Sequence, residues 1–202
     1  MDGIDNVTYL FDKPDVNSHN HESFWASLFA IFLVCASQSK IEFKLPVYFI
    51  DKDNDYEPTT SKERTFRISS NLSFDKNIIV DSTFSNKLFP GLPPTLWSLR
   101  PDIMILKEKN VPHILVETKT TGRHEIGEYQ LSLYKEIKEF FGDIEIYFLI
   151  SRGHENKNDR DLLSKEKFSI LLWEDVLPKI VKSNVPLSDC LKEVNWAICN
   201  KQ

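Results

Sequence analysis

Two apolar runs, LRPDIMIL (99–106) and VPHILVETK (111–119), are separated only by the polar KEKN, and this pairing constrains the fold more than any other stretch. Runs rich in β-branched residues with so short a polar break predict a β-hairpin. With the turn centred between Glu108 and Lys109, Asp102 lies opposite Leu115, and the alternation of a strand puts Asp102, Leu115, Glu117 and Lys119 on one face. Asp102 and Glu117 are then diagonal neighbours, with backbones roughly 7–8 Å apart. The other face carries Ile103, Ile105, Ile114 and Val116 and reads as pure core. Met104 and Leu106 make even the charged face apolar lower down, which predicts a central strand pair covered on both sides. Ionisable groups at the exit of such a pair are costly unless they pair with one another or with a cation.

The residue types suit a hard divalent ion. Two carboxylates bind Mg²⁺ or Mn²⁺ through oxygen, and the carbonyl of Thr118 is a further oxygen ligand between them. Such an ion lowers the pKa of bound water and stabilises charge on a phosphoryl oxygen. Lys119, two residues past Glu117 on the same face, is placed to hold the attacking water and to offset developing negative charge. The competing reading is a structural Asp–Lys–Glu cluster at a strand end.

Pro101-Asp102 followed by Glu117-Thr118-Lys119 resembles the signature of the PD-(D/E)xK nuclease superfamily, here preceded by Arg100 and set on the hairpin where that superfamily carries it. Gln130 and Tyr134 resemble the QxxxY motif of its RecB-like branch, and their i,i+4 spacing puts both on one helical face, where they can steer substrate phosphates or Lys119. The resemblance covers about residues 20–152. It implies an α/β fold with a restriction-endonuclease-like αβββαβ core, a central mixed sheet flanked by helices. It implies Asp102, Glu117 and Lys119 as the catalytic set, Asp102, Glu117, Thr118 and Glu22 around Mg²⁺ or Mn²⁺, and Gln130, Tyr134 and Arg100 toward the substrate. In that superfamily the first helix often supplies a carboxylate, or in some branches a histidine, to the metal, so Glu22 and His21 are both candidates. Glu22 also has a plainer reading, as a charge complementing the dipole at a helix N-terminus. Asp81 ranks below these as a possible acidic contributor.

The length of 202 residues suits one well-buried domain. The net charge of −5 gives no long-range attraction to nucleic acid, which argues against a simple DNA-binding protein; an acidic site filled by a metal and rimmed by local bases has no need of a basic chain. Cys35, Cys190 and Cys199 are odd in number and widely spaced, as reduced intracellular thiols are. Some RecB-like nucleases hold an iron–sulfur cluster through four cysteines; this chain lacks the fourth, so no cluster is expected. The acidic, polar N-terminus and the absence of a long apolar run predict no secretory leader, no membrane span and a cytoplasmic location.

Along the chain, residues 1–19 read as a polar lead-in and His21 to about Ser37 as a strongly apolar, buried helix. Residues 41–50 and 64–74 read as strands of an inserted or edge hairpin around a polar segment. Asp51, Asp53 and Asp55 in that segment begin like a calcium loop, but Tyr56 and Lys62 stand where such a loop needs Gly and Glu, so a solvated turn is expected. Residues 77–84 read as the strand before the hairpin, and the following proline-rich stretch as a loop. Residues 124–141 read as a helix with Ile126, Tyr129, Leu133, Ile137 and Phe140 at helical spacing, ended by Gly142, and 145–151 as a buried strand parallel to its neighbour. Residues 153–161 read as a charged, solvated loop with His154 at the surface. Elements from 160 to 202, including an amphipathic helix at 187–200, read as support for the sheet.

These observations favour a metal-dependent nuclease acting on DNA before RNA, with a protein partner as one source of specificity or processivity. A cap-snatching-type RNA endonuclease shares a histidine, PD and ExK layout. From another class comes a non-catalytic nucleic-acid- or protein-binding module that retains the fold.

Overall fold

The computed structural model describes residues 18–38, 43–51, 58–68, 77–119, 126–152, 154 and 156–182. Their apolar runs build an α/β architecture on one mixed sheet of seven strands: β1 (Lys44–Ile50), β2 (Pro58–Arg67), β3 (Ile78–Val80), β4 (Ile103–Glu108), β5 (Val111–Thr118), β6 (Glu145–Ile150) and β7 (Ser169–Leu172). The spatial order is β2-β1-β7-β6-β5-β4-β3. Neighbours β5, β6 and β7 are parallel and the other pairings antiparallel. Four α-helices lie among the described residues: α1 (Ser18–Gln38), α2 (Glu128–Phe141), α3 (Lys157–Lys165) and α4 (Trp173–Lys182).

Period-2 alternation in the central strands divides the core between the two faces of the sheet. On one face Ile103, Ile105, Ile114, Val116, Tyr147 and Leu149 pack against Phe29, Phe32 and Leu33 of α1 and Trp173 and Val176 of α4. On the other, Met104, Leu106, Leu115, Phe148 and Ile150 pack against Leu131, Tyr134 and Ile137 of α2 and Leu163 of α3. The hairpin is therefore central and covered on both sides, with the expected division of its residues between the faces. The apolar α1 is buried as expected: Phe29, Ala30, Phe32 and Leu33 are fully inaccessible. Side chains at the start of that helix, Glu22 and His21 included, lie outside the described residues, as does the segment 187–200.

Several boundaries differ from the sequence reading. The turn of the β4–β5 hairpin sits at Lys109–Asn110, one residue later than expected, with Asn110 at φ 64°, a conformation asparagine tolerates. Ile103 consequently pairs with Val116, so the register moves by two residues and keeps its parity. The strand before the hairpin is only three residues long, because Asp81 turns the chain at φ 52°. Its proline-rich sequel holds a 3-10 turn, Pro94–Ser98, and packs inward through Phe84, Phe89, Leu92 and Leu96. The β1–β2 hairpin forms the sheet edge beyond β7, on the far side from β4, and β2 begins at Pro58 rather than at 64.

Helix α2 starts at Glu128 and ends where Gly142 adopts φ 73°. Leu133 and Ile137 face the core, but Tyr129 (67% exposed) and Phe140 (43%) lie on the solvent flank, so the buried stripe is narrower than the apolar spacing suggested. The stretch 153–161 departs most from expectation, since much of it is helix and His154 is buried. Asn156 accepts a hydrogen bond from the Asp159 backbone, the N-cap arrangement that starts α3.

Candidate functional site

The exit of the β4–β5 hairpin gathers the polar residues singled out in the sequence. One step beyond the Ile103–Val116 pair, the register sets Asp102 directly across from Glu117 rather than diagonal to it, because the later turn shifts β5 by two residues. Residues directly opposed on neighbouring strands have Cβ atoms closer together than diagonal ones. Asp102 Oδ2 accepts from the Thr118 backbone N–H at 2.6 Å and from Thr118 Oγ1 at 2.7 Å. N–H and C=O of one residue point to the same edge of an extended strand, so the Thr118 carbonyl faces the Asp102 side. Lys119 N donates to Leu149 O at 2.8 Å on the opposite edge, toward β6.

Glu117 is 4% exposed and is the hub of the cluster. Its Oε1 accepts from Lys119 Nζ at 3.0 Å and from Gln130 Nε2 at 2.9 Å, and its Oε2 accepts from Tyr134 Oη at 2.6 Å. A carboxylate offers about four lone-pair directions, so three are taken and one, on Oε2, is left. Asp102 keeps Oδ1 clear of the two Thr118 donors, which both fall on Oδ2.

The QxxxY pair, expected to steer substrate phosphates or Lys119, has both side chains bonded to Glu117, the carboxylate that also holds Lys119. Gln130 and Tyr134 do share one face of α2, and that face meets the sheet at Glu117. The Tyr134 ring is fully buried, with Phe148 at 5.5 Å edge-on, so its hydroxyl orients a carboxylate and does not reach solvent. Burial first, then the charge and hydrogen bond of Glu117, push the Tyr134 hydroxyl well above the usual tyrosine range.

Asp102 titrates far from its ordinary value. Desolvation and then the Glu117 charge push it up to about 7, against the opposing Thr118 hydrogen bonds and the Lys119 charge. A cation between the two carboxylates would relieve both effects that raise it. The donor set of two carboxylates and a carbonyl fits a hard divalent ion. No group of three or more His, Cys, Asp or Glu placed to hold a metal ion occurs among the described residues, and the side chains of Glu22 and His21, the candidates for a third ligand, fall outside them.

Arg100 and Asp81, both singled out in the sequence, form an exposed ion pair with each other at 2.7 Å. The Asp81 backbone N–H donates to Asp102 O at 2.9 Å, which places this pair beside the hairpin exit while its side chains turn to solvent. Cys35 is a free thiol in α1, raised by burial; Cys190 and Cys199 lie outside the described residues.

Two further supports were not recognised in the sequence. Trp173 Nε1 donates to Lys119 O at 3.3 Å, and its ring meets Trp25 and Phe29 edge-on at 6.0 and 6.2 Å, which ties the Lys119 backbone to the α1 face of the core. A tryptophan following an apolar strand gives no hint of such a contact. Buried Asp159 accepts from Ile126 N at 2.7 Å and pairs with His154 Nε2 at 2.9 Å. Asn156 followed three residues later by an acidic side chain, a helix-start pattern, was the signal that this charged stretch is ordered.

Among the described residues no helix is long and apolar enough to cross a membrane. Comparison of the chain with protein-family models, with curated proteins and with solved structures finds no match.

Proposed function

We propose that this chain is a Mg²⁺- or Mn²⁺-dependent nuclease of the PD-(D/E)xK type, hydrolysing phosphodiester bonds of nucleic acid, with DNA favoured over RNA as substrate. The observation that carries the reading is the set of hydrogen bonds on Glu117. Lys119, Gln130 and Tyr134 come from two separated motifs and converge on one buried carboxylate directly across from Asp102. A cluster serving stability alone has no need of a second carboxylate whose burial and neighbouring charge lift it to about 7. The helix, antiparallel hairpin, helix and parallel strand formed by α1, β4–β5, α2 and β6 also suit a restriction-endonuclease-like core.

In this reading Asp102, Glu117 and the carbonyl of Thr118 would hold the ion. When bound, a hard divalent ion lowers the pKa of a coordinated water and offsets charge on the phosphoryl oxygens. Gln130 and Tyr134 fix the Glu117 rotamer, so its open lone pair has one direction. Lys119 holds its ammonium against Glu117 until substrate arrives, then turns to the attacking water and the developing phosphorane charge. Arg100, exposed on the rim, exchanges Asp81 for a substrate phosphate. Specificity or processivity is assigned to a protein partner.

The test is cleavage of matched linear and circular, single- and double-stranded DNA and of RNA, with Mg²⁺, Mn²⁺ or EDTA, for wild type beside Lys119→Ala. Metal-dependent cutting that is lost in the variant is the expected result. A wild type that is folded yet inert on every substrate would overturn the proposal in favour of a binding module.

A further inference from the structure

Helix α2 brings Gln130 and Tyr134 to Glu117, yet its own start is poorly fixed by local sequence. Its N-cap is Gly127, which makes no side-chain capping bond, and the first backbone bond of the helix runs from Leu131 to Gly127. The entry is held from outside. Asp159 of α3, fully buried, accepts the Ile126 N–H on Oδ1, and its Oδ2 meets His154 Nε2. Its negative charge also lies where the dipole of α2 is positive. About two turns into α2, Lys135 pairs with Glu166, just past the end of α3, so the two helices are fastened at a second point.

Within the nuclease reading above, on which this inference rests, we propose that Asp159, held by His154, is a positioning residue for the metal ligand Glu117. The chain of contacts is short. Ile126 sits four residues before Gln130 and eight before Tyr134, and those two side chains supply two of the three hydrogen bonds on Glu117. His154 is 3% exposed, and its Nδ1 has no partner among the described residues. A carboxylate only accepts, so Nε2 carries the proton of this bond, and His154 donates to Asp159 and holds that carboxylate in one rotamer. Releasing Ile126 frees the first turn of α2, Gln130 loses its fixed approach, and Glu117 is no longer held in one rotamer.

The experiment compares Asp159→Ala, Asp159→Asn and His154→Ala with Leu163→Ala, a fully buried core residue one turn along the same helix whose apolar side chain makes none of these hydrogen bonds. Three readouts are taken: amide hydrogen exchange over residues 126–134, Mn²⁺ affinity of the substrate-free protein, and kcat separately from KM. Asp159→Ala should speed exchange at 126–131, weaken Mn²⁺ binding about tenfold and lower kcat with little change in KM, the scale usual for groups that orient a metal ligand. Asp159→Asn keeps an oxygen for Ile126 and should recover most of each readout. His154→Ala should shift all three in the same direction by less, and it replaces Asp159→Ala should that variant not fold. Leu163→Ala should lower stability while leaving Mn²⁺ affinity and kcat in place. Unchanged exchange in the Asp159 and His154 variants, or equal Mn²⁺ losses in Leu163→Ala, would overturn the proposal. If the wild type neither binds Mn²⁺ nor cuts, the nuclease reading and this role fall together; accelerated exchange in Asp159→Ala would then show that the anchor of α2 is real and that only its link to a metal is wrong.

Discussion

Asp102→Asn should make the metal-free protein more stable at neutral and alkaline pH, although it removes a charged residue from the most polar part of the core. In the folded chain Asp102 is pushed up to about 7, whereas in the unfolded chain it ionises near 3.8. A group whose folded pKa is raised contributes stability that is complete below its unfolded pKa. That contribution is lost as pH rises through the folded pKa, because the unfolded state releases its proton first. Each unit of pH in that window costs about 1.4 kcal/mol. Between pH 4.5 and 7 the wild type therefore loses on the order of 3 kcal/mol that Asp102→Asn keeps, an upper figure because water reaching the partly open carboxyl softens it. The assay is urea denaturation of both proteins in EDTA at half-unit steps from pH 4.5 to 8.5, following the difference in unfolding free energy. That difference should grow up to about pH 7 and then level. Adding Mn²⁺ at pH 8 should restore the wild type and leave the variant where it was. Parallel pH profiles would refute the argument that burial and the Glu117 charge raise Asp102, and equal responses to Mn²⁺ would refute Asp102 as a ligand.

Tyr134→Phe removes one buried hydrogen bond to a charged carboxylate and should cost about 1.5–3 kcal/mol of stability in the metal-free protein, read from denaturant midpoints at pH 8. Phe32→Ala, at a fully buried position between α1 and the sheet, should cost about 3–5 kcal/mol, while Trp97→Ala, 45% exposed, should fall within roughly 1 kcal/mol of wild type. Arg100→Ala breaks only a solvated ion pair and should change stability by less than about 1 kcal/mol; a rise in KM at unchanged kcat would mark its contact with substrate. Lys119→Met should retain Mn²⁺ binding while losing cleavage, as isothermal titration and gel assays on the same preparation would show.

How much of this was legible in the sequence depended on whether a feature was local. The hairpin, its two faces and the parallel strand after it follow from period-2 alternation and uninterrupted apolar runs, and they hold despite a two-residue register shift because that shift preserves parity. The depth of α1 was legible for the same reason: a helix apolar on nearly every side has no stable place except the core. Asp102, Glu117 and Lys119 were legible as a group because all three sit at one end of a single hairpin.

What the sequence could not supply was the identity of each partner. Residues 153–161 read as a solvated loop because their side chains are charged, yet Asp159 is buried where it meets His154 and the Ile126 N–H, both brought to it by folding. Gln130 and Tyr134 could be placed on one helical face by spacing, but only the packing of α2 on the sheet decided that this face meets Glu117. Tyr129 and Phe140 fell on the solvent flank because the helix rotates to bury Leu133, Tyr134 and Ile137, a choice made by the shape of the opposing sheet. By itself, then, the chain determined the hairpin, the buried helix α1, the strand after α2 and which end of the hairpin is polar, since hydrophobic periodicity and turn chemistry act over a few residues. Which donors satisfy Glu117, how far Asp102 is displaced and what anchors α2 were decided only in the tertiary structure, because desolvation and hydrogen-bond geometry depend on groups distant along the chain.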